Sequence, residues 1–132
     1  MKKIDKLAWI LLQDRAILST RSYGKDRFYI PGGKRETGET DAEALAREVR
    51  EELSVTLATN TLQLVGIFEA QAHSHPEGVL VQMTCYTAAF TGTLHASAEI
   101  EEIAWLSYAD KDKISEVDKL IFDHLRAQKL LD

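Results

Sequence analysis

Cysteine is almost missing from this chain. Cys85 stands alone, so no internal disulfide framework can hold the fold together and nothing in the sequence calls for an oxidising compartment. Proline is nearly as scarce, with two residues, and glycine numbers only seven in 132. That composition excludes collagen-like and low-complexity chains. Long apolar runs are also lacking. Leu7–Leu12 is too short for a signal-peptide core, is interrupted by Gln13-Asp14-Arg15 and has no small-residue cleavage site. No stretch approaches the roughly 20 apolar residues that span a bilayer. The expected location is the cytoplasm. Positive charge is in deficit, giving a formal net charge of −5. An acidic surface argues against a nucleic-acid duplex or an anionic membrane as partner. It also obstructs any phosphate ligand, unless divalent cations mediate.

What is present is an ordinary globular core: 45% hydrophobic residues, enough for one domain spanning 1–132. Leu7–Leu12 and Ala16–Thr20 read as a β-hairpin across Gln13-Asp14-Arg15, and Ser22–Arg27 as a loop. Phe28-Tyr29-Ile30 reads as a brief strand ended by Pro31-Gly32-Gly33. Lys34–Glu39 forms a second loop. Thr40, followed three residues later by Glu43, has capping-box spacing. From Asp41 to Leu53 the apolar residues Ala42, Leu45, Ala46, Val49 and Leu53 recur at helical period. Leu62–Ala72 and Val79–Phe90 read as strands around a turn at His73–Gly78, and Ile103–Leu106 as a short strand after acidic residues. Ser115 is positioned to cap a C-terminal helix carrying Val117, Leu120, Ile121 and Leu125. Strands, helix, strands, helix in that order predict one α/β sandwich with helices on both faces of the sheet.

The 41–53 helix carries a second stripe. Glu48, Glu51 and Glu52 stand at i, i+3 and i+4, so their carboxylates share one side next to the apolar face. A solvated acidic face is the ordinary reading of such a pattern. Here the like-charged Glu48 and Glu52 border the core, with no lysine on their stripe. Burial would neutralise them unless a cation is present. Hard carboxylate oxygens beside a core suit Mg²⁺ or Mn²⁺. The preceding loop offers Gly33, whose carbonyl can serve as a ligand, and Lys34 and Arg35 as positive charges for phosphates. Its spacing is not that of a Walker loop. His73 and His75 fit a polar turn better than a zinc site, and Cys85 fits an apolar strand. Tyr29, Gln71, Gln82 and Tyr86 are candidates for contact with a base.

Loop and helix together resemble the Nudix box, G-x5-E-x7-R-E-U-x-E-E-x-G-U. Residues 33–55 supply Gly33, Glu39, then Arg47-Glu48-Val49-Arg50-Glu51-Glu52-Leu53-Ser54-Val55. The one departure is Ser54, where the family has glycine. Tyr29-Ile30-Pro31-Gly32-Gly33 is similar to the family's lead-in, and Glu99…Trp105-Leu106-Ser107 to a downstream segment. The resemblance implies a Nudix α/β/α sandwich and a Mg²⁺-dependent hydrolase that cuts the pyrophosphate bond of a small-molecule nucleotide. It implies Glu51 and Glu52 as principal metal ligands, joined by Glu48, the Gly33 carbonyl and Glu99, with Glu101 or Glu102 as alternatives to the last. Glu48 is the first choice of general base, with a downstream glutamate as competitor. Arg47 is expected to pair with Glu39 in a structural role.

The proline that marks ADP-ribose hydrolases of this kind would fall at Ala70–Gln71, and the tyrosine of diadenosine polyphosphate hydrolases at Ala72–His73. Neither is present. The best fit is therefore a MutT-like nucleoside triphosphate pyrophosphatase giving a monophosphate and pyrophosphate. Hydrolysis of nucleotide sugars or dinucleotides is the alternative. A diphosphate isomerase would need a reactive cysteine and a glutamate in its site, and a further alternative is a non-catalytic nucleotide-binding sensor on the same fold, a class that generally loses box glutamates. The oligomeric expectation is a monomer or a homodimer.

Overall fold

The computed structural model describes residues 2–72 and 75–132. Nine strands and two α-helices make up these residues: β1 Lys3–Trp9, β2 Leu12–Gln13, β3 Ala16–Ser22, β4 Gly32–Lys34, α1 Asp41–Leu53, β5 Thr56–Leu57, β6 Gln63–Gln71, β7 Leu80–Thr87, β8 Phe90–Thr91, β9 Ile100–Leu106 and α2 Glu116–Ala127. A mixed sheet runs in the order β4-β1-β7-β6, with β1 parallel to β7 and antiparallel to β4. A three-stranded antiparallel sheet, β2-β3-β9, stands beside it, and β5 pairs with β8.

Alternation along β1 sorts the core into two parts. Leu7 and Trp9 face α1 and pack with Leu45, Val49 and Leu53. Ile4 and Ala8 face the other way, into a cluster holding Val81 and Met83 of β7, Ile17 and Leu106 of the second sheet, and Val117, Ile121 and Phe122 of α2. Helices therefore cover both faces of the mixed sheet, as expected. Cys85 is fully buried in this second cluster. His124 packs edge-on against Phe68, their ring centroids 5.4 Å apart. No helix among the described residues is long and apolar enough to cross a membrane.

Several boundaries differ from the sequence reading. The first hairpin keeps its turn, where Asp14 and Arg15 both take positive φ, but only Leu12 and Gln13 form its first arm. β1 belongs to the other sheet, because its residues pair along their whole length with β7. The expected strand Phe28–Ile30 makes only isolated bridges, Thr20 to Tyr29 and Phe28 to Ile114. The strand lies instead on the glycines, Gly32–Lys34. Gly32 has φ +146, and a Cβ there would stand 1.9 Å from the Leu7 carbonyl oxygen, so only glycine lets β4 lie this close to β1. Val79–Phe90 is broken at residues 88–89. β9 begins at Ile100, with Glu101 and Glu102 inside the strand. His73 lies outside the described residues.

Candidate active site

α1 begins where its sequence says it should. The Thr40 hydroxyl accepts a hydrogen bond from the Glu43 amide, and the Glu43 carboxylate accepts one from the Thr40 amide, closing a capping box. The buried stripe is Ala44, Leu45, Val49, Glu52 and Leu53. A carboxylate thus stands on the core side, and Ala42 does not. Glu52 is only 6% exposed, and its Oε1 accepts a bond of 3.3 Å from the Gly32 amide. The Glu48 side chain is 16% exposed. Glu51, at 54%, points to solvent.

A cavity of about 770 Å³ opens above this stripe, within the range that takes small molecules. Glu48, Glu52, Glu99, Gly33 and Lys34 line it together with Ile4, Lys6, Val81, Met83 and Tyr29. Of the downstream acids, only Glu99 lines it. Glu101 and Glu102 are both held by Arg21, each at 2.9 Å. The Glu99 segment is fastened to the end of α1, since the Ser97 and His95 amides donate to the carbonyls of Glu52 and Leu53, each at 2.9 Å.

Arg47 is the hub beside the site. Its Nε and a terminal nitrogen reach the two oxygens of Glu39 at 2.8 Å each, the bidentate pairing expected. It also holds Glu48 at 2.9 Å, approaches Glu51 at 3.7 Å and donates to the Lys34 carbonyl at 3.1 Å. The cation that offsets the glutamate stripe thus comes from the adjoining helix position. Arg47 holds the Glu39 carboxyl down at about 2. Arg35 is engaged elsewhere, between Asp5 and Asp41, and is not part of the cavity wall. Of the four residues considered for a base, Tyr29 alone lines the cavity. Tyr86 donates to Asp41 at 2.6 Å, and Gln71 ties down the turn at residues 75–78.

Two residues escaped the sequence reading. Lys6 lines the cavity, and Asp118 of α2 is wholly buried. The Ile30 amide donates to Asp118 Oδ2 at 3.1 Å, while Oδ1 forms no well-oriented bond among the described residues. The spacing of Asp118, three, four and seven residues from Ile121, Phe122 and Leu125, was the available signal for an inward carboxylate.

Burial pushes Glu52 up to about 8, assisted by Glu48 and Glu99 and opposed by the Gly32 amide and Lys6. Burial also raises Glu48 and takes Asp118 to about 7. Such groups stabilise the fold while neutral. Their contribution is complete below their unfolded values and disappears as pH climbs to the folded ones. Glu39 has the opposite sign, but acts only below its unfolded value. Without divalent cations, the melting temperature should therefore fall from about pH 5 to about pH 8, and Glu52→Gln should flatten part of the slope. Added Mg²⁺ or Mn²⁺ should raise Tm more at the upper end, by favouring ionised carboxylates. Scanning calorimetry showing a rising or level Tm across this window, with no response to metal, would refute the assignment.

The donor set fits a hard cation in chemistry: a buried carboxylate with two like-charged neighbours is relieved by positive charge. Among the described residues, no three acidic, histidine or cysteine side chains are already drawn around one point. Glu48 is turned to Arg47 and Glu52 to Gly32, so closure asks for side-chain rotation about a fixed backbone.

Ser54 ends α1 at φ 62, ψ 25, the left-handed conformation expected where the box has glycine. Its hydroxyl lies 2.7 Å from that of Ser97. Ser54→Gly relieves strain, loses one exposed hydrogen bond and gains chain entropy in the unfolded state. These nearly cancel, so stability should change by about 1 kcal/mol or less, with activity preserved. Urea unfolding and a turnover assay check both points, and a large loss of activity in a stable protein would give the hydroxyl a catalytic task.

The NUDIX domain profile matches residues 4–125. No curated protein sequence matches the chain. Among solved structures, the ORF135 protein of E. coli superposes with a TM-score of 0.76 at 26% identity, over 98% of this chain and 92% of that one. A MutT described for Aliivibrio salmonicida and Vibrio cholerae gives 0.72 at 25% identity, over 96% and 99%. A UDP-X diphosphatase gives 0.71 at 16% identity, over 97% and 65%, a likeness of fold alone. The chain belongs to the Nudix family and is a hydrolase of phosphoanhydride bonds.

Proposed function

We propose that the protein hydrolyses nucleoside triphosphates to a monophosphate and pyrophosphate, with Mg²⁺ as cofactor and Mn²⁺ as substitute. The observation that carries this reading is the lining of one cavity, which brings Glu48, Glu52, Glu99, Lys6 and Lys34 together with the apolar Ile4, Val81 and Met83 and the ring of Tyr29. The charged residues suit a cation and phosphates, the apolar residues and the ring a flat heterocycle. Glu48, Glu52, Glu99 and the Gly33 carbonyl would hold the cation, with Glu51 joining from the helix rim. Bound there, a divalent ion neutralises pyrophosphate oxygens and makes water a better nucleophile. Lys34 faces the phosphates, and Arg35, committed to two aspartates, is the weaker candidate. Water forms the new P–O bond, the bond to the leaving pyrophosphate breaks, and Glu48 accepts the proton. Burial places the Glu48 carboxyl above the usual range, which improves it as a base. Arg47 fixes Glu48 and Glu39 without touching substrate.

The test is a Mg²⁺-dependent product screen over nucleoside triphosphates, ADP-ribose, nucleotide sugars and dinucleoside polyphosphates. Triphosphates should be turned over fastest, releasing pyrophosphate. A nucleotide sugar or dinucleotide outpacing every triphosphate would replace this substrate assignment, and turnover of none would favour a nucleotide sensor.

A further inference from the structure

Lys6 breaks the pattern of its own strand. Ile4 and Ala8, two residues to either side, are core residues, and the alternation of β1 puts Lys6 on the same inward face. Its in-register neighbours are Met83 on β7 and a second lysine, Lys34, on β4. The Lys6 ammonium lies 5.9 Å from the centre of the Tyr29 ring. No carboxylate among the described residues comes within 4.0 Å of it, so it forms no ion pair with Asp118, Glu52 or Glu48, the acids that act on it from a distance. Burial lowers its pKa, opposed by those acids and reinforced by Lys34.

A like-charged pair across two strands and a desolvated ammonium both cost stability, and methionine would fill the same space without either cost. A ligand that meets the ammonium would offset them. Lys34 directly follows Gly33, against which the Glu48 carboxylate lies, so it serves the phosphates. Beside Lys6 stand Met83 in register, Tyr29 across 5.9 Å and, two residues back along β1, Ile4 paired with Val81, an apolar wall that suits the base. An ammonium is donor-only. A ring carbonyl satisfies it, whereas an amino group at the same ring position sets donor against donor.

We propose that Lys6 is a specificity-determining residue that donates to a carbonyl oxygen of the base, so that the enzyme prefers keto bases to amino bases. This rests on the reading that the cavity takes a nucleotide. Two substrate pairs test the group, since ITP and ATP exchange a carbonyl for an amino group at purine C6, and UTP and CTP at pyrimidine C4, each with the proton of the adjacent ring nitrogen lost. Within the pair the enzyme hydrolyses faster, the keto member should have the higher kcat/KM, by about tenfold or more. Lys6→Met should bring that ratio close to one by slowing the keto member alone, and Lys6→Arg should retain part of it. Lys6→Met should also melt no lower than wild type, which keeps the variant measurable. Binding of IMP against AMP, and UMP against CMP, by calorimetry gives the same comparison without turnover, so a failure of the hydrolase reading shows separately. A wild-type ratio near one, an equal loss for both members in Lys6→Met, or no binding of any of the four monophosphates would overturn the proposal.

Discussion

Glu52→Gln should leave a folded protein whose kcat is lower by about a hundredfold or more. The substitution keeps the shape of the side chain and its acceptor oxygen toward the Gly32 amide, and removes only the charge. Glu52 is the most buried of the three glutamates on the α1 stripe, and Glu48 and Glu99 both oppose its ionisation. A neutral amide there is easier for the apo fold to accommodate, so Tm near neutral pH should hold or rise while turnover collapses. That opposition of signs separates a site residue from a structural one. Near wild-type turnover in a stable Glu52→Gln protein, measured at saturating Mg²⁺, would remove Glu52 from the site.

The two adjacent glycines should fail in different ways. At Gly32 a Cβ would meet backbone, the Leu7 carbonyl oxygen at 1.9 Å, on a φ of +146 that side chains rarely adopt. Neither strand can yield without breaking the β4–β1 register, so Gly32→Ala should cost about 3 kcal/mol or more. At Gly33 a Cβ would meet the Glu48 carboxyl group, 2.6 Å away, at the end of a flexible side chain. Gly33→Ala should therefore fold nearly as well as wild type, and lose about tenfold to a hundredfold in kcat as Glu48 is pushed aside. Denaturant unfolding and turnover of both variants decide the matter. Equal stability loss in the two, or an active Gly33→Ala enzyme, would contradict the packing described.

α1 was legible because three local signals agree on it: the capping box at Thr40, the helical spacing of Leu45, Val49 and Leu53, and the left-handed end at Ser54. Glu48 and Glu52 followed, since helical spacing fixes which side chains share a side, whereas Glu51, read onto that same side, points to solvent. β4 was not legible, because Pro31-Gly32-Gly33 has the composition of a turn, and what makes it a strand is the approach of a carbonyl from β1, remote in sequence. The same holds for Arg35. Two basic residues after a glycine pair look alike on paper, and only the positions of Asp5 and Asp41 separate them. Lys6 was hidden by its neighbours, for among Lys2, Lys3 and Asp5 a further charge reads as a polar terminus. Its inward direction appears only when Ile4 and Ala8 are seen in the core.

By the proposed function, this cavity cuts a triphosphate between its α and β phosphates, using a cation held by Glu48, Glu52 and Glu99. The most direct measurement is ³¹P NMR of the reaction products during a Mg²⁺ titration of the wild-type protein with the best triphosphate from the screen. Monophosphate and pyrophosphate should appear together in equal amounts, at a rate that rises from the background with Mg²⁺ and saturates. Release of inorganic phosphate with a diphosphate as the partner product, or a rate indifferent to Mg²⁺ after chelation, would contradict it.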